Sequence, residues 1–470
     1  MMRLNYKSLA VLSFIVAISL RVLLCWSNPP KNAFDDHFSP IFKIMITGAI
    51  PAKDACWQCY HPPVFYWISA VIGDIAVIMG AQATQLMKLL QFISCFYGIL
   101  TVGIIYLILR KLPLSDFSRL IAFSMVCFLP RHIYMSAMNS NDTISYLFVA
   151  LSIYLLLIAI ERKLSPSYLL AASIAISITL FTKYTSYVVL PIVLVVFASL
   201  FYKRIIAPRK QVLVSFILVL LIPITLLSVY FISNMKNYGS PMPWNEKLLD
   251  SSLHRPRDNS RLDFISFKPW DGINTPMIVP GRMHSFWTLV YSGMWYDNNE
   301  PKFLYYLDPN RGWWNHYFAW LMGKEIFPGE NPSMSNLTKS IGTGLIAFGL
   351  FPLLLIMSGL YNFFSGRWKS WTNAGEMDAA KMNIFPALLL SNVAGIIALA
   401  LRMSDYSVAK ASYFLNSLPA FAVFLSLGLM PCEKNKKLKW IIVIVFGVLF
   451  ALTSLHIVRV SFSPFIFSPP

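Results

Sequence analysis

The chain has 470 residues, of which 57% are hydrophobic and 13% charged, with a formal net charge of +18 and a mean hydropathy of +0.60. Soluble domains carry about a quarter charged residues, so a water-soluble globular core is excluded and the composition predicts an all-α polytopic membrane protein. The positive charge does not point to nucleic acid. A nucleic-acid surface gathers its cations on one soluble face, whereas here they sit in short segments between apolar runs, as topology signals and contacts to anionic lipid.

A membrane span needs about 20 mainly apolar residues. Runs of that kind lie at 8–26, 86–109, 118–137, 144–160, 166–182, 184–202, 212–232, 340–363, 384–401, 413–430 and 440–459, which gives eleven candidates. Arg3 and Lys7 precede the first run. That run is too long for a secretory signal and no small-x-small site follows, so an uncleaved first span is expected. Leu23-Leu24-Cys25 lacks the small residue that precedes a lipoprotein cysteine.

The stretch 63–80, PVFYWISAVIGDIAVIMG, is nearly long enough to cross, and loop charge decides its placement. If it does not cross, the basic segments 1–7, 110–119, 161–166, 203–210, 364–383 and 431–439 all fall on one side and hold 18 lysines and arginines. If it crossed, every later basic loop would be exported, and Asp74 would cost about 2.5–3.5 kcal/mol at the bilayer centre. It is therefore expected to lie as an amphipathic helix in the outer interface, with Tyr66 and Trp67 at headgroup depth. The resulting topology has the N-terminus cytoplasmic and the C-terminus outside. Residues 1–232 form a membrane module whose first exterior loop is 27–85, 233–339 form an aromatic-rich exterior loop, and 340–470 carry the last spans.

The loop from Asn28 to Tyr66 concentrates the chemistry. Asp35 and Asp36 lie about ten residues past the first span, preceded by Pro29, Pro30 and Phe34, so a carboxylate is held near the bilayer surface. There it can act as a general base or ligate a divalent cation through oxygen; solvated loop acids are the plain alternative. His61 precedes two prolines that fit the first turn of a helix, and is a cap, a headgroup contact or a substrate-facing donor. Cys56 and Cys59 are spaced for a local disulfide or a pair of inert thiols. With His37 and His61 they would also make a tetrahedral zinc set.

Asn139-Ser140-Asn141-Asp142-Thr143 marks the outer entry to the fourth span, as an N-cap cluster or, with Arg131 on the same turn, as a polar pocket. Lys183, beside Tyr184, either snorkels or meets a lipid-linked phosphate. Arg402 and Lys410 repeat that arrangement around Ser404-Asp405-Tyr406. Several isolated cations on a face otherwise poor in them predict a site for a phosphate or pyrophosphate. Residues 282–297, RMHSFWTLVYSGMWYD, headed by Arg282, mix aromatic and polar side chains as sugar-stacking surfaces do, and equally as interfacial helices do. No Walker-type glycine loop or dinucleotide fingerprint occurs, so a nucleotide donor is not supported. The sequons at Asn141 and Asn336 fall outside in this topology.

The Asp pair after the first span, HPPVFYW, SNDT, FTKYTSYVVLP and the late KASYFLNSLPAFAV, in this order, resemble the GT-C superfamily. The closer resemblance is to polyprenyl-phosphate-dependent glycosyltransferases of the protein O-mannosyltransferase and aminoarabinose-transferase type. It covers 8–202 well and 384–430 more loosely. It implies a GT-C-like fold, with Asp35 as catalytic base and Asp36 beside it. It also implies inverting transfer at the exterior face from a lipid-phosphate-linked sugar to a protein, lipid or glycan acceptor, with the phosphate held by Lys183 and Arg131. His61, Asn141, Asp142, Tyr184, Arg282 and Lys410 are expected to line the substrate site. The chain departs from the family pattern at Phe38 and Ser39, where a tyrosine often follows the acids, at Ser412, where a basic residue is expected before Tyr413, and at the CWQC insert. A bacterial plasma membrane, or the endoplasmic reticulum in a eukaryote, is the expected location. Competing readings are a glycan polymerase or ligase, and a glycolipid flippase or transporter. The last predicts charges buried in mid-span, and it lacks the internal repeat common in secondary transporters.

Overall fold

A computed structural model describes residues 5–28, 30, 37–204, 206–243, 265–270, 273, 285–296, 336–402 and 410–462. All regular structure among them is helical. Asn5 starts α1 (Tyr6–Ser27) by accepting hydrogen bonds from the amides of Lys7 and Ser8, which meets part of the demand that every helix N-terminus makes for acceptors. Two short helices follow, α2 (Phe38–Thr47) and α3 (Val64–Ile78). Glycine is needed where α2 ends, because Gly48 closes the helix at a φ of 66°. The chain then runs through α4 (Ala83–Arg110), α5 (Asp116–Cys127), α6 (Pro130–Ser136), α7 (Asn141–Glu161) and α8 (Pro166–Leu180). A 3-10 turn at Tyr184–Val188 leads into α9 (Val189–Lys203), and α10 (Arg209–Tyr238) completes the N-terminal half.

The later elements are α11 (Phe286–Trp295), α12 (Asn336–Phe364), α13 (Arg367–Thr372), α14 (Glu376–Met382) and α15 (Ile384–Arg402). A 3-10 turn at Ala411–Ser417 then opens α16 (Leu418–Leu429), and α17 (Lys436–Phe462) ends the described chain. Among the described residues, nine helices are long and apolar enough to cross a membrane, counting the 3-10 turns that extend α9 and α16 and the continuation of α14 into α15. The protein is an integral membrane protein. Two of the eleven expected spans take another form. The run at 118–137 is split into α5 and α6, where Pro130 occupies the first turn of a new helix, and the run at 166–182 is a 15-residue helix.

Side-chain contacts define two ends of the bundle. Lys88, near the start of α4, donates to the carbonyls of Cys25 and Asn28 at the end of α1. The intervening chain, with α2 and α3, therefore leaves and re-enters the bundle at the same end. The basic segments meet at the other end. Lys111 and Lys381 both pair with Glu161, at 2.8 and 3.0 Å, and Ser115 hydrogen-bonds Glu433. The outer side of the α2–α3 pair is apolar and open, with Ile46, Trp67, Val71, Ile75 and Ile78 exposed.

Lipid chains are as apolar as leucine, so helices in a membrane associate by close packing rather than by expulsion of water. The tightest packing is between α12 and α16. A Cβ built on Gly359 would fall 1.8 Å from the Phe424 carbonyl oxygen, and one on Gly428 would fall 1.9 Å from that of Leu355. Only hydrogen fits at either position. The α7 helix is largely enclosed by its neighbours. Its Tyr146 hydroxyl donates to the Ser412 carbonyl and Ser145 donates to Asn416, which fixes the 411–417 turn over the start of the helix.

Candidate active site

The end of the bundle defined by Asn28, Lys88, Asn141 and Lys183 holds a buried polar network in otherwise apolar surroundings. Ser140 is the N-cap of α7 and accepts from the Asp142 amide at 3.3 Å, the ordinary means of satisfying a first-turn donor. Its hydroxyl proton goes to Asp142 Oδ2 at 3.3 Å. The 3.3 Å contact with His37 Nε2 must then be one in which Ser140 accepts, so His37 carries a proton on Nε2. His37 Nδ1 lies 2.9 Å from the Tyr66 hydroxyl. The other Asp142 oxygen pairs with Lys183 Nζ at 2.8 Å, both side chains being about 5% exposed (5% for Lys183, 4% for Asp142). Lys183 in turn lies over the Tyr413 ring, 5.3 Å from its centroid. Arg131 lies within electrostatic reach of Asp142, Tyr134, Tyr146 and Tyr413.

A second cluster adjoins the first. The His61 ring lies tilted against Tyr60 with centroids 4.1 Å apart, and is 6.3 Å from both the His37 and Tyr184 rings. Tyr184 donates its hydroxyl proton to the Tyr60 carbonyl at 3.2 Å and lies 3.4 Å from the Tyr230 hydroxyl. The buried Lys53 donates to the Tyr230 hydroxyl at 2.7 Å and to the His61 carbonyl at 3.2 Å. Between Lys53 and His61, Cys56 and Cys59 form a disulfide, so this loop is closed on itself and tied to α10.

The structure thus brings His61, Arg131, Asp142, Lys183 and Tyr184 to one end of the bundle. Asn141 is there too, in the first turn of α7, fully buried and with neither side-chain amide atom hydrogen-bonded among the described residues. Lys410 precedes the 411–417 turn, and no contact among the described residues ties its ammonium to the network. Asp35, Asp36 and Arg282 lie outside the described residues, although Asp36 immediately precedes His37 in the chain. The helix read from 282–297 is α11. Phe286, Tyr291 and Trp295 are buried in packing, with Trp295 against Gly349 and the Tyr291 hydroxyl on the Ile346 carbonyl. Their ring faces are taken up by protein, and Trp287 alone of the α11 aromatics is markedly exposed.

The zinc set drawn from Cys56, Cys59, His37 and His61 is overturned. Both thiols are consumed in the disulfide, and zinc needs thiolates. Among the described residues no group of three His, Cys, Asp or Glu side chains gathers as a metal shell. Sequence reading did not bring His37, Ser140, Lys53, Tyr66, Tyr230 and Tyr413 into this network. Ser140 stands in a cap motif whose hydroxyl is free to do two jobs. For Lys53, one loop lysine among 39 basic residues, no local signal exists.

Residues 60–228 match the family described as Dolichyl-phosphate-mannose-protein mannosyltransferase, a segment that contains six of the expected site residues. No curated protein matches the chain by sequence. Among solved structures, the Archaeoglobus fulgidus oligosaccharyltransferase tethered with an acceptor peptide is 14% identical, with a TM-score of 0.52 over 98% of this chain and 55% of its own. The same enzyme in complex with Zn and sulfate is 14% identical, with a TM-score of 0.51 over 96% and 53%. The S. cerevisiae protein O-mannosyltransferase Pmt1-Pmt2 complex bound to the sugar donor is 18% identical over 58% of this chain and 37% of its own, at a TM-score of 0.39. The chain spans about half the length of the archaeal enzyme, and at this identity the likeness is one of fold. Over residues 60–228 the chain is thus similar to that mannosyltransferase family, and as a whole it shares the helical membrane fold of the archaeal enzyme.

Proposed function

We propose that the protein is a membrane glycosyltransferase that moves a sugar from a polyprenyl-phosphate-linked donor to an acceptor at the exterior face, with inversion and with Asp35 as general base. The observation that carries this reading is the buried network of His37, Ser140, Asp142 and Lys183 at one end of an apolar helix bundle. Buried polar groups are costly unless paired, and one end of the bundle collects them, with His37 directly following the acid pair in the sequence. The oxidised Cys56–Cys59 pair supports an exterior, disulfide-permissive placement of this end, with the basic segments at the cytoplasmic one.

In the reaction, the acceptor hydroxyl or amine gives its proton to Asp35 as its heteroatom attacks the anomeric carbon. The bond from that carbon to the phosphate oxygen breaks, and the polyprenyl phosphate leaves with the electron pair. Cations stabilise the charge that develops on it. Arg131 and the paired Lys183 supply part of that field, and Asn141, His61 and Tyr184 offer hydrogen bonds to sugar hydroxyls. Asp36 orients Asp35, and Arg282 and Lys410 are further candidates to bind substrate. The acceptor is a protein, lipid or glycan. Any divalent cation would have to be met by the Asp pair.

The reading is tested by mass spectrometry of glycans and lipid-linked sugars from cells with and without the gene. Loss of one monosaccharide from a glycoconjugate, with its polyprenyl-phosphate form accumulating, is expected. Loss of a whole oligosaccharide carried on pyrophosphate would instead indicate a ligase. Redistribution of an unchanged glycolipid across the membrane would indicate a flippase.

A further inference from the structure

The charges of three lysines held inside the functional end of the bundle, Lys183, Lys88 and Lys53, are met differently. Lys183 is neutralised by Asp142 at 2.8 Å. Lys88 has three acceptors for its three protons: the carbonyls of Cys25 and Asn28, and Gln91 Oε1. Lys53 is 6% exposed and has two, both neutral: the Tyr230 hydroxyl and the His61 carbonyl. Among the described residues it makes no ion pair, and its third proton has no acceptor.

A buried ammonium without a counter-charge is costly, and the fold does not arrive at this one by accident. The disulfide between Cys56 and Cys59 closes the loop that follows it. The Lys53 amide is anchored on the Tyr238 hydroxyl at 3.3 Å, and the ammonium also lies 5.0 Å from the centroid of the Tyr230 ring. Beside it, Tyr184 gives its proton to the Tyr60 carbonyl. Tyr230 accepts from Lys53 and keeps its own proton for Tyr184 or for a bound oxygen. A charge-unbalanced ammonium and an uncommitted phenol proton, next to His61, form a cradle for an anionic oxygen.

We propose that Lys53 binds the phosphate of the lipid-linked donor, with Tyr230 as its hydrogen-bonding partner. Lys183, the cation that sequence reading favours, acts mainly to hold Asp142. The inference rests on the glycosyl-transfer reading above. An ammonium suits a monoanionic or dianionic phosphate oxygen through a charge-assisted hydrogen bond. A bulk phospholipid headgroup offers the same oxygen, so the two sources must be separated.

The test uses the full chain in nanodiscs, with undecaprenyl phosphate as one probe and phosphatidylglycerol as the other. Wild-type protein is expected to bind undecaprenyl phosphate, K53M to bind it roughly tenfold more weakly or worse, and K53R to stay within about threefold of wild type. Equal binding by K53M and wild type overturns the inference and leaves the glycosyltransferase reading standing. If wild type binds neither probe, both fall. A Lys53-dependent preference for phosphatidylglycerol alone overturns the donor assignment. If K53M does not fold, the wild-type protein still decides. Undecaprenyl phosphate is expected to slow acetylation of Lys53 about threefold or more, read by peptide mass spectrometry, while Lys203 at the far end is unaffected. Unchanged Lys53 acetylation overturns the proposal.

Discussion

The pair formed by Asp142 and Lys183 gives the most direct test of how the site is held. At 2.8 Å and an effective dielectric of about 20, their attraction is about 6 kcal/mol before desolvation is counted. Lys183→Met removes the cation and leaves the Asp142 carboxylate buried, with the Ser140 hydroxyl and the charge of Arg131 as its remaining support. Breaking a buried pair from one side costs about 3–5 kcal/mol, and Arg131 sets the expectation at the lower end, about 3 kcal/mol. Asp142→Asn strands Lys183 beneath Tyr413 at a similar cost. In the double variant both charges are gone, and it is expected to recover about 2 kcal/mol relative to Lys183→Met alone. The assay is equilibrium unfolding of the purified protein in mixed micelles of rising SDS fraction, followed by tryptophan fluorescence. A cost below about 1 kcal/mol for Lys183→Met, or a double variant that merely sums the two single losses, would refute the reasoning.

Asp35→Asn is expected to lower transfer, measured as release of free polyprenyl phosphate, by about 10²–10⁴-fold, with a smaller loss for Asp36→Asn; a rate within about threefold of wild type removes Asp35 as base. Replacing both Cys56 and Cys59 by serine opens a loop of only four residues. The entropic loss is then about 2 kcal/mol at most, while transfer falls because Lys53 and His61 lose their fixed positions. Activity unchanged by dithiothreitol or by the double replacement would show that the bridge does not position them. Gly428→Ala puts a methyl group where the Leu355 carbonyl lies 1.9 Å away; α12 and α16 must separate, at about 1–3 kcal/mol, and a normal micelle-unfolding midpoint would contradict that contact.

Much of the architecture follows from local signals. Apolar run length fixes helices because an unpaired backbone group in lipid is prohibitively costly, and the asymmetry of Lys and Arg between loops implies two distinct ends. The contact between Lys88 and the end of α1 agrees with the placement of 63–80 as a segment that does not carry the chain across. The position of the break in the third apolar run is legible afterwards in Pro130, but run length alone hides it, since proline at a first turn is compatible with a continuing span. Residues 286–295 show the limit of composition. Their aromatic and polar mixture describes a sugar platform, an interfacial belt and a packed helix equally well, and the packing against Gly349 decides for the last.

The site divides in the same way. The sequence by itself determined that acids, amides and cations recur at the same end of successive helices, because each stands beside an apolar run whose direction alternates. It marked Asp142, Lys183, Asn141 and His61 one by one. Only the tertiary structure decided who meets whom. Asp142 takes Lys183 from the far end of α8, His37 reaches Ser140 across 103 positions, and Lys53 reaches Tyr230 across 177. Such pairings depend on which helix ends become neighbours when the bundle packs, and no local pattern of residues encodes that. The charge on Lys183 looked available for a ligand when read along the chain. In the fold Asp142 neutralises it, whereas Lys53 makes no ion pair among the described residues and meets only neutral acceptors.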